Sequence, residues 1–81
     1  MTPQQVAELI RAGVAGSRAT VLSDDNVHFE ALVVADAFAG KRPLQRHQMV
    51  YAALGPAMGG EIHALALKAY TLAEYEAIGR G

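Results

Sequence analysis

Two β-type segments on either side of a polar turn limit the possible folds of this sequence more than any other feature. Residues 18–22 and 27–35 are rich in β-branched residues or alternate apolar with polar ones, and residues 23–26 between them are Ser-Asp-Asp-Asn. We therefore predict a β-hairpin. Because side chains alternate along a strand, Phe29 and His28 lie on opposite faces, with His28 at the start of the second strand.

A third strand and three helices are predicted around this hairpin. Thr2 and Thr71 each begin a capping box, and Pro43 suits the first position of a helix, so we expect helices to start at these points. Residues 62–69 form a nearly continuous apolar run after a Gly-Gly corner. Such a run is typical of a strand covered on both faces or lying at the centre of a sheet.

The resulting order is α-β-β-α-(short α)-β-α. A hairpin followed by a helical crossover returns the third strand parallel to the second, by the right-handed connection that geometry favours. We therefore predict an α+β fold with a three-stranded mixed sheet and helices packed on one face.

The second long helix is predicted to bury one apolar stripe. The apolar positions of this stripe are Leu44, Val50, Tyr51 and Leu54. His47 falls on the same stripe and is most simply a packing histidine.

The length of 81 residues leaves room for one domain, which we expect to span residues 1–81. Seven Lys and Arg against eight Asp and Glu give a net charge of -1, so the chain has no overall positive field that would attract phosphate backbones.

The N-terminal residues lack the basic and apolar regions of a signal peptide, and no apolar run is long enough to span a membrane. We expect a cytoplasmic protein.

Signatures of common enzymes are absent from the sequence. It contains no Gly-rich phosphate loop after a strand, no G-x-S-x-G and no H-E-x-x-H. Asp24 and Asp25 are adjacent carboxylates, but turn carboxylates usually cap the turn and face solvent. We therefore expect no catalytic residues and no enzymatic activity.

The three histidines are the main candidates for metal chemistry, because the chain has no cysteine. Taken singly, His63 is most simply bonded to a backbone carbonyl, and His28 is most simply an exposed surface residue. Taken together, they are expected at the same end of the sheet, because the second and third strands are parallel. Two imidazoles form an incomplete metal site, so the remaining ligands are expected from another molecule.

A small basic group lies near the start of the second long helix and consists of Lys41, Arg42 and Arg46. Basic side chains at a helix N-terminus favour anions, so a phosphate contact is conceivable. The simpler interpretation is a solvated face, because three charges neutralise few phosphates and no aromatic platform accompanies them.

Several motifs resemble those of the BolA family, in particular its IbaG-like branch. The motifs are Phe38-Ala-Gly, Gln45-Arg46-His47, Ile62-His63-Ala64 and the ending Thr71-x-x-Glu74-Tyr75, where many relatives have Trp at the last position. The resemblance implies a fold similar to a type II K-homology domain. It also implies a heterodimer with a monothiol glutaredoxin and a shared 2Fe-2S cluster, for which the glutaredoxin and glutathione supply thiolates. It assigns His63 as one cluster ligand and His28 as the second.

The function that this resemblance implies is an iron-sulfur adaptor for cluster transfer, maturation or iron sensing. Imidazole in place of cysteinate raises the potential of a cluster, and ligation is pH-sensitive because the ring must first lose its proton. Alone, the chain is expected to be a monomer or a weak homodimer that binds no membrane.

The alternative function is a K-homology-like transcriptional regulator that binds DNA or RNA through Lys41, Arg42 and Arg46. The loop from Gly55 to Gly59 weakens this alternative, since three residues separate its glycines where a G-x-x-G clamp has two.

Overall fold

The computed structural model describes residues 1–80 and has the predicted order of elements. The helices are α1 (Pro3–Gly13), α2 (Pro43–Leu54) and α3 (Leu72–Arg80), and the strands are β1 (Arg18–Leu22), β2 (His28–Val34) and β3 (Ala64–Tyr70). Short 3-10 turns cover Asp36–Phe38 and Gly55–Ala57. The predicted domain also included Gly81, which lies outside the described residues. None of the helices within residues 1–80 is both long and apolar enough to span a membrane.

The sheet is three-stranded and mixed, as predicted. Its order is β1-β2-β3, with β1 antiparallel and β3 parallel to β2. On β2, Phe29, Ala31 and Val33 are buried beneath the helices, while His28 and Glu30 are exposed on the other face. The α+β fold with helices packed on one face is therefore confirmed.

The expectation that the third strand is covered on both faces or lies at the centre of the sheet is wrong. β3 lies at an edge of the sheet, and its residues Ala64, Ala66 and Lys68 are exposed. Small alanine side chains make the run look uniformly apolar, so hydropathy alone does not reveal that one face of this strand meets solvent.

The capping boxes and a glycine contact set the positions of the helices. Thr2 Oγ1 accepts from the amide of Gln5, and the Thr2 amide donates to Gln5 Oε1, as predicted. α1 then crosses α2 closely at Gly13, where a Cβ atom would lie 2.3 Å from the Cβ of Ala53. The absent side chain at this position therefore permits the close packing of the two helices.

The predicted buried stripe of α2 is wrong in part. Val50 and Leu54 are buried as expected, but Leu44 is 68% exposed and Tyr51 is 38% exposed. His47 is half-buried, and its ring contacts Tyr51 edge-on at 6.3 Å. The residue that completes the buried face is Arg46, four positions before Val50.

Arg46 is buried because its guanidinium has polar partners on three segments. Nη1 and Nη2 donate to the two carboxylate oxygens of Glu74 at 2.6 and 3.1 Å. Nε donates to the carbonyl of Lys41, and Nη1 also donates to the carbonyl of Ala69. The cation lies 5.9 Å from the ring centroid of Phe38. This placement corrects the expectation that Arg46 belongs to a solvent-facing basic group.

Candidate metal centre

Two histidines far apart in the chain meet at one end of the sheet. His28 begins β2 opposite Ala64, the first residue of β3, and His63 immediately precedes β3. The ring centroids of His28 and His63 are 6.3 Å apart, with an interplanar angle of 62°. The predicted convergence of the two rings is confirmed, while their role as metal ligands stays a prediction.

The backbone on both sides of His63 is held firmly. Ile62 is fully buried, and its amide donates to the carbonyl of Ala57 at 2.9 Å. The amide of His63 itself donates to the carbonyl of Val27 at 2.8 Å. The side chain of His63 is nevertheless exposed, so the anchored backbone presents the imidazole to solvent.

His28 is positioned by the turn before β2. One carboxylate oxygen of Asp25, Oδ1, accepts from the backbone amides of Val27 at 3.0 Å and His28 at 2.9 Å. The other oxygen, Oδ2, lies 2.7 Å from His28 Nδ1. Ser23 Oγ closes the turn by donating to the carbonyl of His28 at 2.6 Å. The turn therefore fixes both the backbone and the ring of His28.

These hydrogen bonds make Asp25 an unusually strong acid. The backbone amides of His28 and Val27, followed by the His28 ring, hold the pKa of the Asp25 carboxyl well below its ordinary range. Hydrogen bonds to the charged form of a carboxylate have this effect, and Asp25 is therefore ionised at neutral pH.

The contact between Asp25 and His28 is the feature of the site that sequence reasoning missed. Asp25 was expected to cap the turn and face solvent, and it does cap the turn. The sequence signal for its second contact is an aspartate three residues before a histidine, which is too common to be specific. Only the folded turn shows that the carboxylate also reaches the ring.

The two imidazole rings can supply two ligands to a metal, which is fewer than a complete site needs. Among residues 1–80, no cluster of three or more His, Asp or Glu side chains is arranged to hold a metal ion. The His28 side chain is 65% exposed, and a groove of about 460 Å³ opens beside it along β2 and β3. Imidazole nitrogens are ligands of borderline metals, so the two exposed rings can supply part of a metal site but not a whole one.

The basic group lies at the other end of β3. Arg46 donates a hydrogen bond to the carbonyl of Ala69 near the end of β3, whereas His63 precedes the start of this strand. Ala69 and His63 are therefore about 20 Å apart along the strand. Lys41 and Arg42 are exposed, but Arg46 is only 9% exposed. Two of the three predicted phosphate contacts therefore face solvent, and they are separate from the histidine pair.

Comparison with known proteins gives consistent matches over most of the chain. A family model described as BolA-like protein matches residues 11–74, a range that includes both His28 and His63. The chain is 39% identical over 61 residues to the DNA-binding transcriptional regulator BolA of Escherichia coli strain K12, covering 75% of this chain and 58% of that protein. It is 50% identical over 48 residues to human BolA-like protein 1, covering 59% of this chain and 35% of that protein.

A plant relative is a longer protein. The chain is 38% identical over 63 residues to SufE-like protein 1, chloroplastic/mitochondrial, of Arabidopsis thaliana, covering 78% of this chain and 17% of that protein. The chain thus spans from about a sixth to a little more than half the length of these three relatives.

Solved structures share the fold. The structure of a bolA protein homologue from Coxiella burnetii matches with a TM-score of 0.85 and 43% identity, covering 94% of this chain and 97% of that chain. The solution structure of yeast Fra2 matches with a TM-score of 0.70 and 34% identity, covering 96% of this chain and 87% of that one.

Proposed function

The chain belongs to the BolA family, and on this premise we propose that it is a non-enzymatic iron-sulfur accessory protein. It binds a monothiol glutaredoxin and co-ligates a shared 2Fe-2S cluster for cluster transfer, maturation or iron sensing. The similarity to a SufE-like protein and to yeast Fra2 is consistent with an iron-sulfur-related role.

The observation that carries this proposal is the exposed pair of imidazoles at one end of the sheet. His63 and His28 supply two nitrogen ligands from this chain. The described residues offer no third ligand beside them, and the chain has no cysteine, so the remaining ligands come from the partner. The family resemblance implies that these are thiolates of the glutaredoxin and of glutathione. A half-site of this kind requires a partner to be complete.

The residues of the pair have complementary roles. His63 sits on a backbone fixed by the buried Ile62, which sets the point at which its side chain leaves the surface. His28 is held by the turn and brings the second imidazole beside it. When bound, a 2Fe-2S cluster supplies one-electron and iron-sulfur transfer chemistry, and neutral imidazole ligands give it a higher potential than thiolates do.

A spectroscopic titration tests the proposal. Adding this protein to a cluster-loaded monothiol glutaredoxin is expected to change the visible absorption and circular dichroism of the cluster, because imidazole replaces part of its coordination. His63→Ala is expected to abolish the change. His47→Ala removes a histidine of α2, outside the pair, and is the matched control. A spectrum that does not change with the intact protein contradicts the proposal.

DNA binding is a second candidate, favoured by one observation. The Escherichia coli relative is named as a DNA-binding transcriptional regulator. In this chain the exposed candidates for phosphate contact are Lys41 and Arg42. Gel retardation at physiological salt tests it: a DNA shift that charge reversal of both residues removes supports this function, and no shift with the unaltered protein excludes it. Reversal of Arg46 is unsuitable, because it breaks the buried contacts described above.

A further inference from the structure

We propose that Asp25 is a positioning residue that fixes the ring tautomer of His28. In this tautomer the single proton of the neutral imidazole is on Nδ1, and Nε2 carries the free electron pair. The consequence for metal binding rests on the proposed function, whereas the tautomer itself is a property of the isolated chain.

The geometry of the carboxylate leaves its second oxygen directed at the ring. Two backbone amides, those of Val27 and His28, occupy Oδ1 and set the orientation of the whole carboxylate. Oδ2 then lies 2.7 Å from Nδ1 of His28, which is the length of a charge-assisted hydrogen bond. A carboxylate only accepts, so the ring nitrogen has to be the donor.

This hydrogen bond prepares Nε2 for a metal. A metal-bound histidine usually donates its other ring N–H to a carboxylate or carbonyl, which fixes the tautomer and makes the ligand more basic. Asp25 supplies that arrangement before any metal is present. Within residues 1–80 the His63 ring has no hydrogen-bond partner, so only one of the two ligands is oriented in advance.

The isosteric variant Asp25→Asn reverses the direction of this hydrogen bond. The amide oxygen of asparagine replaces Oδ1, because the two backbone N–H groups require an acceptor there. The NH₂ group then faces His28 Nδ1, which has to accept. The ring proton therefore moves to Nε2, and the nitrogen needed for the metal is blocked. Asp24→Asn is the matched control, since Asp24 makes none of these hydrogen bonds and the charge change is the same.

Nitrogen-15 NMR of the ring nitrogens in the isolated protein, in mildly alkaline buffer, measures the tautomer directly. The expected result is a protonated Nδ1 in the unaltered protein and in Asp24→Asn, and a protonated Nε2 in Asp25→Asn. A second variant, Asp25→Ala, is expected to show a mixture of tautomers because the ring loses its partner. A protonated Nε2 in the unaltered protein overturns the inference, and so does a single Nδ1–H form in Asp25→Ala.

Titration of the same variants with a cluster-loaded monothiol glutaredoxin tests the consequence. Asp25→Asn is expected to weaken formation of the shared cluster by about 10- to 100-fold, the usual effect of removing such a supporting group. If His28→Ala changes the cluster spectrum and Asp25→Asn does not, the positioning role is wrong and the proposed function stands. If neither His28→Ala nor His63→Ala changes it, the proposed function is wrong, and the NMR result alone decides the tautomer.

Discussion

The ion pair between Arg46 and Glu74 joins α2 to the first turn of α3. Glu74 accepts two hydrogen bonds from the guanidinium and a third from the amide of Thr71. The Arg46 guanidinium, with the Thr71 amide, lowers the pKa of the Glu74 carboxyl to about 2 from an ordinary value of 4.5. A carboxyl whose pKa is lower in the folded state stabilises the fold above the unfolded pKa. This stabilisation is lost as the pH falls from about 4.5 through about 2.

Glu74→Gln is therefore expected to destabilise the protein at neutral pH, because it leaves the buried Arg46 cation without its carboxylate. The difference in unfolding free energy between the variant and the unaltered protein is expected to shrink between about pH 4.5 and about pH 2. Urea unfolding at a series of pH values measures it, with Glu8→Gln on the exposed face of α1 as the control. A difference that does not depend on pH contradicts the assigned pair.

Single residues also show where the sequence is informative and where it is not. The convergence of His28 and His63 follows from strand order alone, and it could be predicted. The burial of Arg46 could not, because its partners Glu74 and Ala69 lie more than 20 residues away and become neighbours only in the fold. For the same reason the contact of Asp25 with the ring of His28 required the geometry of the folded turn.

At the scale of elements, the crossing of α1 and α2 depends on one position without a side chain. Gly13 ends α1 where a Cβ would lie 2.3 Å from Cβ and 2.7 Å from Cα of Ala53. At Gly79 in α3, an added Cβ atom would have no neighbouring atom within 4 Å. The two glycines therefore differ in packing, although both lie in helices.

Gly13→Ala is expected to lower the unfolding free energy by about 1 to 3 kcal/mol, because the clash forces the helices apart. The gain in helix propensity, about 1 kcal/mol, does not offset it. Gly79→Ala is the matched control and is expected to be neutral or slightly stabilising. Chemical denaturation of both variants measures the difference, and an equal effect at the two positions contradicts the close crossing.

Element boundaries were predicted well where a local signal exists. The capping boxes at Thr2 and Thr71 and the proline at the start of α2 each lie where the helices begin. Which face of an element is buried was predicted less well. The stripe of α2 and the two faces of β3 depend on which elements pack against them, and hydropathy along the chain carries only part of that information.

At the scale of the whole molecule, a single core joins α1, the sheet and α2. Buried residues from all of these elements form one cluster, to which Ile10, Phe29 and Val50 belong. Ile62, next to the histidine pair, is part of the same cluster. The position of the candidate metal centre is therefore tied to the stability of the entire fold.

Ile10→Ala is expected to lower the unfolding free energy by about 2 to 5 kcal/mol, because it leaves a cavity in this shared core. Ile78→Ala in α3 makes the same change at a position that is 55% exposed and is expected to cost less than about 0.5 kcal/mol. In Ile10→Ala, the denaturant midpoint measured by circular dichroism and the midpoint measured by tyrosine fluorescence are expected to shift by the same amount. Separate transitions would show that the core does not unfold as one unit.

The most direct test of the proposed function is pulsed electron paramagnetic resonance of the reduced cluster in the complex with a monothiol glutaredoxin. Only this chain is labelled, with ¹⁵N-histidine, so every ¹⁵N coupling has to come from its imidazoles. We expect two strong couplings, both of which persist in His47→Ala. His28→Ala is expected to remove one of them, and His63→Ala, which prevents formation of the shared cluster, is expected to remove both. A cluster that shows no coupling to ¹⁵N of this chain would contradict the role of the histidine pair.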